Sequence, residues 1–470
     1  MKKIIFLLFF GSTVLLNAQE LTFKKGVVTD SVIINDSIQE SFALYLPKNF
    51  EVSKNWPVIF LFDELGRGRQ LVRFFQDAAE KEGYILAASN SIHDSLPISQ
   101  NILISNRMFN KTFQLFSIHP KRIYTGGIAN GGRLASIVPV FVPNIDGVVS
   151  FGGSLGNVEV LSTKNMFHYI GIVSKEDYNY PIMLADELVL NGLKFPNQLL
   201  LMNNGNKMQE QHQLQKAMQI FTLSSMAKGS IPLNETFINK SYEANLAEID
   251  SLIASKKLLE AEKLIQETQS VYRVHLKVDE LKEKLKNLKK DKLFRTQKRN
   301  ENNVFFKESL IKEDYAYYLE EDVLTYNFNN LGWWNFQMED LKKYEKSQNV
   351  AERQMGKRLY GYVNALIDDT EDVLKKEKVV DEDALLFVFM LKTITDPKEY
   401  DSYLEIISLS SKIEDYGTAL FYMEELLKNG FTDKETIYNL EHTALLRITP
   451  EFNELVTKYL DDARYGIKEQ

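Results

Sequence analysis

The amino-acid sequence predicts an α/β domain, a mostly parallel sheet with helices on both faces, followed by an all-α, helical-repeat-like region. Two patterns carry this. Up to about Lys228, short continuous apolar runs alternate with helical stretches, as strands buried on both faces require. Beyond about Ile231 the helical period takes over, and Gly and Pro become sparse. The chain therefore divides into a leader at 1–18, an α/β domain at 19–230 and a helical region at 231–470.

Met1-Lys2-Lys3, the apolar residues 4–10 and 14–16, and Asn17-Ala18-Gln19 have the layout of a cleavable secretory signal, with cleavage expected after Ala18. The alternative, an uncleaved anchor, needs an apolar run of roughly 18 to 20 residues, longer than this one. The mature chain is thus expected to be secreted or periplasmic and to have no membrane span. It contains 0 cysteines, which excludes disulfides, a thiol nucleophile, thiolate metal sites and lipid attachment at the cleavage site. A formal charge of -8 argues against a dedicated nucleic-acid binder.

Strands are predicted at 42–47, 57–62, 84–89, 122–126, 147–151, 169–173 and 199–202, with helices at 70–82, at 102–116 and after residue 130. In the helical half, 242–254 and 258–272 form a hairpin joined by Ser255-Lys256-Lys257, and one charged helix runs from Val274 toward Arg299. Near the end, Ala419, Leu420, Met423, Leu426 and Leu427 make an apolar stripe closed by Gly430. This unit resembles a tetratricopeptide, although no strict repeat of about 34 residues is sustained through 290–380.

The stretch Gly127-Ile128-Ala129-Asn130-Gly131-Gly132, directly after the strand at 122–126, has the shape of a GxSxG nucleophile elbow with alanine in place of serine. In such an elbow a strand turns sharply into a helix and presents a hydroxyl above the sheet. Alanine has no oxygen for a base to activate.

Four stretches extend the likeness: residues 61–68, residues 88–91, His119-Pro120-Lys121-Arg122-Ile123-Tyr124, and the elbow with Arg133. Together they resemble the esterase branch of the α/β-hydrolase superfamily, including secreted feruloyl-esterase-like and polyhydroxybutyrate-depolymerase-like proteins. The chain is particularly similar to Bacteroidota hydrolases with appended tetratricopeptide-like helices. The resemblance implies an α/β-hydrolase-type sheet and locates the site residues. The acid falls in Ser174-Lys175-Glu176-Asp177-Tyr178, where Asp177 is the better candidate. The histidine position falls in residues 202–207, where Asn206 stands instead, with His212 a few residues on, in the first turn of the next helix. The oxyanion loop is residues 63–68, so the amides around Asp63, Glu64 and Gly66, with that of Asn130, are candidates to bind an anion or carbonyl. Asp63 itself suits holding that loop, since an unpaired carboxylate would oppose an oxyanion.

Loss of the nucleophile from a serine triad costs on the order of a million-fold in turnover. With Asn206 as a second lesion, the leading expectation is a secreted or periplasmic pseudo-hydrolase that binds a protein or peptide through its helices, and a small ester or carbohydrate in its residual pocket. The alternative is an active carboxylic-ester hydrolase, on ester-linked carbohydrate or small acyl substrates, with a displaced nucleophile such as Ser91, Ser136 or Ser154. For each of these the structural use is a turn hydroxyl, a helix-face serine or a strand-end cap. No cofactor is implied, and the histidines show no paired metal-ligand spacing. His168 is expected to be a packed core histidine and His119 a turn residue. The basic run 282–299 is expected to be a solvated helix face, and Trp333-Trp334 to pack between helices.

Overall fold

The computed structural model describes residues 23–35, 37–203, 205–461 and 463–464. The leader expected at 1–18 lies outside them. Strands β1 (Val28–Asn35), β2 (Ile38–Tyr45), β3 (Trp56–Phe62), β4 (Ile85–Ser89), β5 (Ile118–Ile128), β6 (Gly147–Phe151), β7 (His168–Ser174) and β8 (Asn197–Met202) form one sheet in the order β1-β2-β4-β3-β5-β6-β7-β8. β2 runs antiparallel to β1 and β4, and every other pairing is parallel. Interleaved are helices α1 (Gly68–Glu82), α2 (Ile98–Leu115), α3 (Asn130–Phe141), α4 (Tyr180–Gly192) and α5 (Lys207–Ala227).

The central strand shows why the apolar runs are continuous. All of β3 is buried. Val58, Phe60 and Phe62 pack with Met108 and Phe109 of α2 and Val138 of α3, while Ile59 and Leu61 pack with Val72 and Phe75 of α1 and Leu214 and Phe221 of α5. A strand covered on both faces has no polar positions to alternate with. β1, at the sheet edge and half polar, lacks that signature and was not among the predicted strands. His119, expected in a turn, lies instead at the start of β5, where the pairing with β3 is irregular between Trp56 and Val58.

The helical region comprises α6 (Glu235–Ala254), α7 (Leu258–Tyr272), α8 (Asp279–Lys290), α9 (Lys292–Thr325), α10 (Leu331–Glu345), α11 (Val350–Lys375), α12 (Glu382–Thr395), α13 (Tyr400–Lys412), α14 (Tyr416–Lys428), α15 (Lys434–Asn439) and α16 (Pro450–Leu460). The charged stretch expected as one helix breaks at Asp291, which is extended (φ -63°, ψ 133°) and caps α9 by accepting from Leu293 N at 2.6 Å. Trp334 is fully buried between helices, its indole N–H donating to Asp322 at 2.8 Å. Among the described residues no helix is long and apolar enough to cross a membrane.

Buried charges fasten the helices to the sheet domain. Arg358 of α11 forks onto Glu308 of α9, at 2.9 Å from Nε and 2.6 Å from Nη2 to Oε2, and its Nη1 donates to the Lys175 carbonyl at 2.6 Å. Lys175 itself pairs with Glu301 of α9 at 2.7 Å, and at the surface Glu176 pairs with Lys357 at 2.8 Å. The free edge of β8 is covered as well: Leu199 N donates to Glu267 of α7 at 3.1 Å, and Gln213 of α5 donates to Leu201 O at 3.0 Å. Groups that would otherwise template another strand are thereby closed off.

Candidate active site

Because β3 and β5 to β8 are parallel, their carboxyl ends share one rim, where sites form in open α/β sheets. β5 lies between β3 and β6, with Phe62 opposite Gly127 and Gly127 opposite Ser150. Its turn into α3 is centred on Ala129, at φ 49° and ψ -121°, whose N–H donates to Phe151 O at 2.9 Å. Such a backbone costs a non-glycine residue about 1–3 kcal/mol. The glycines around it are forced by contact: a Cβ on Gly131 would lie 2.0 Å from Phe62 O, and one on Gly153 would lie 2.2 Å from Ala129 O. Ala129 and Asn130 are exposed, so the turn presents a methyl group to solvent. Asn130 opens α3, and the first N–H groups of a helix have no partner within it.

The loop after β3 runs beside this turn. Asp63 is buried, and its carboxylate accepts from Leu65 N at 2.9 Å and from Arg67 at 2.9 to 3.2 Å. Burial works against its charge, but Arg67 and the Leu65 amide together outweigh burial and hold the carboxyl below its ordinary value. Gly66 (φ +64°) lies so close to Asn90 O that a Cβ would sit 2.7 Å from it. The amides of Leu65 and Gly66 are thus spent inside the loop, on the Asp63 carboxylate and the Asp63 carbonyl. Glu64 O accepts from Asp94 N at 2.9 Å.

Asp177 follows β7. One carboxylate oxygen accepts from Asn179 N at 2.8 Å; the other lies 3.4 Å from where a Cβ on Gly152 would be. Burial raises its pKa above the ordinary carboxylate value. Among the described residues no histidine bonds to it. Its neighbours on both sides are held by the helical region: Lys175 and Glu176 through ion pairs, and Tyr178 by contact with α11 at Gly361.

After β8, Asn206 is the N-cap of α5 and accepts from Gln209 N at 3.2 Å. His212 lies in the second turn of α5 rather than the first, a displacement set by where Asn206 starts the helix. Its Nε2 is 3.3 Å from Glu248 of α6, which Lys216 also pairs with at 2.7 Å. Burial opposes the Glu248 charge, but these two partners hold its pKa down at about 2. His212 therefore belongs to a polar cleft of about 410 Å³ between β8, α5 and the α6–α7 hairpin.

Beside the elbow lies a smaller hollow of about 280 Å³, lined by Glu64, His93, Asn130, Arg133, Leu134 and Ile137 among others. Arg133 projects from the first turn of α3 and makes no ion pair among the described residues. The serines considered as displaced nucleophiles have other surroundings. Ser136 donates to Arg133 O and accepts from Gly156 N; Ser91 accepts from Ser41 N; Ser154 is buried. Among the described residues no group of three or more His, Asp or Glu could hold a metal ion. His168 is buried on β7 against Gln198, and burial lowers its pKa to about 4.

Arg358, Glu301 and Glu308 were not found from sequence. They act on a loop 126 to 183 residues away, and no local pattern marks a lysine or glutamate as buried. Arg133 stood in the elbow motif, but only the structure shows that it lines the adjoining hollow.

No family model matches the chain, and no curated protein matches it. Among solved structures, it is similar to a dienelactone hydrolase from Anabaena variabilis at 15% identity, with 41% of this chain and 95% of that chain covered and a TM-score of 0.32. An esterase from Thermogutta terrifontis matches at 12% identity over 43% and 93% of the two chains, TM-score 0.34. An acetyl ester-xyloside bifunctional hydrolase from Caldicellulosiruptor lactoaceticus matches at 16% over 38% and 87%, TM-score 0.32. The chain's own sheet is eight-stranded and mostly parallel, with helices interleaved, and an all-helical region follows it.

Proposed function

We propose that the chain is a secreted or periplasmic pseudo-hydrolase, a binding module on an α/β-hydrolase frame. One observation carries this reading: at the strained, exposed turn where the fold would present a nucleophile, a methyl group stands at φ 49° and ψ -121°. The frame supplies the position, and the side chain supplies no atom that can attack a carbonyl. The second lesion supports it, because Asn206 is used as a helix cap and His212 is engaged with Glu248. The hollow beside the elbow, with the Asn130 amide and the Arg133 cation, suits a small ligand bearing a carbonyl or carboxylate. The helical region is the part that binds a protein or peptide.

The test is turnover of short-chain p-nitrophenyl esters by the unaltered protein and by Ala129→Ser, with fluorophosphonate labelling of both. Both proteins are expected to stay on the order of a million-fold below the turnover of an intact triad. A serine labelled in the unaltered protein would sink the proposal in favour of a displaced nucleophile.

A further inference from the structure

We propose that the protein self-associates through α9, pairing antiparallel with α9 of a second copy. The helix is 34 residues long and faces two ways. Val304, Tyr315, Leu319 and Val323 are buried in the core of the helical region. On the opposite face Phe306, Leu310, Tyr317 and Leu324 are 69%, 48%, 58% and 67% exposed. Their spacing of four, seven and seven residues keeps them on one line, close to the heptad spacing of helices that pair along a seam. An exposed apolar line of this kind, interrupted only by charged side chains, suits an interaction surface.

The charges decide the occupant. On the exposed side, the first half of α9 carries Arg299 and Lys307, and the second half carries Glu313, Glu320 and Glu321. Among the described residues, Arg299 and these three glutamates make no ion pair within the chain. A parallel copy would set basic half against basic half and acidic against acidic. A reversed copy does the opposite. With the twofold axis between Leu310 and Glu313, Phe306 of one copy meets Tyr317 of the other, and Arg299 and Lys307 come within one turn of the second copy's Glu320 and Glu313. The charges of this face are therefore complementary under a twofold, as an isologous interface requires, with Leu310 and Leu324 lying against the apolar stems of the second copy's Glu313 and Arg299. Two paired helices of this extent bury on the order of 1,000 Å², the low end for specific association, so the dimer is reversible.

The chain contains 0 cysteines, so introduced thiols report without background. Sedimentation velocity of the mature chain should show a dimer that grows with concentration and weakens with salt. Leu310→Glu, at an exposed site, should weaken it at least about tenfold, or 1.4 kcal/mol, with an unchanged circular-dichroism spectrum and melting midpoint. Under mild oxidation, a mixture of Phe306→Cys and Tyr317→Cys chains should cross-link faster than either alone. A monomer at every concentration up to about 100 µM, a dimer indifferent to Leu310→Glu, or faster cross-linking of each variant with itself would each overturn the proposal.

Discussion

The turn after β5 and the turn after β8 leave the same rim of the same sheet, yet they are built in opposite ways. The first keeps a costly geometry without a reactive group: Ala129 sits at φ 49°, and Gly131 approaches Phe62 O more closely than any side chain would allow. The second has an unstrained, locally satisfied beginning, with Asn206 capping α5 and His212 turned to Glu248. Between them the loop after β7 keeps a carboxylate, Asp177, now pinned by helices from the other half of the chain. The contrast teaches that backbone geometry at this rim is maintained by packing, independently of the chemistry a side chain provides. The elbow persists because strands and glycines on three sides interlock around it. Asn206, at the sheet edge, is free to serve as a helix start.

The largest expected effect tests the pinned loop. Arg358→Met leaves buried Glu308 with Lys312 alone, at 3.1 Å, and removes the Arg358 donor from the Lys175 carbonyl, and should lower stability by about 3 kcal/mol, the low end for a broken buried pair, in denaturant unfolding. A change under about 1 kcal/mol would mean that the helices do not hold the loop. Next comes the interlock at the elbow. Gly131→Ala drives a methyl into Phe62 O and should cost at least about 2–3 kcal/mol; a neutral result would show the turn to be looser than described.

Smaller effects separate the two turns. Ala129→Gly relieves the positive φ at the expense of unfolded-state entropy, for a net gain of about 1 kcal/mol. Asn206→Ala removes a cap and should lose about 1 kcal/mol. Opposite signs at the two positions would sharpen the contrast, and equal signs would break it. The smallest effect concerns Asp177. Its folded-state pKa lies above the ordinary value because of burial, so folding favours its protonated form and the ionised form is destabilising at neutral pH. Asp177→Asn should therefore raise the melting midpoint at neutral pH. The gain should fade as pH falls through the carboxylate range, where Asp177 is protonated in both states. A gain that persisted at low pH would point to packing instead of charge.

The sequence by itself determined the α/β sheet followed by helices. Buried parallel strands must be apolar throughout, and helices must repeat every three to four residues, so β3 and the stripe of α14 are legible as written. It also placed Ala129, because a tight strand-to-helix turn needs glycines at fixed offsets. It missed β1, a half-polar edge strand, and ran α8 and α9 together, because one capping aspartate in a charged run looks like any other. Only the tertiary structure decided that Asp63 is spent on Arg67, that His212 answers to Glu248, and that Arg358 and Glu301 grip the loop carrying Asp177. Apart from Asp63 with Arg67, four residues on, those are pairings between residues far apart in the chain. Their energy depends on burial and distance, which a single sequence does not encode locally, whereas periodicity and turn chemistry act between neighbours and are written where they act.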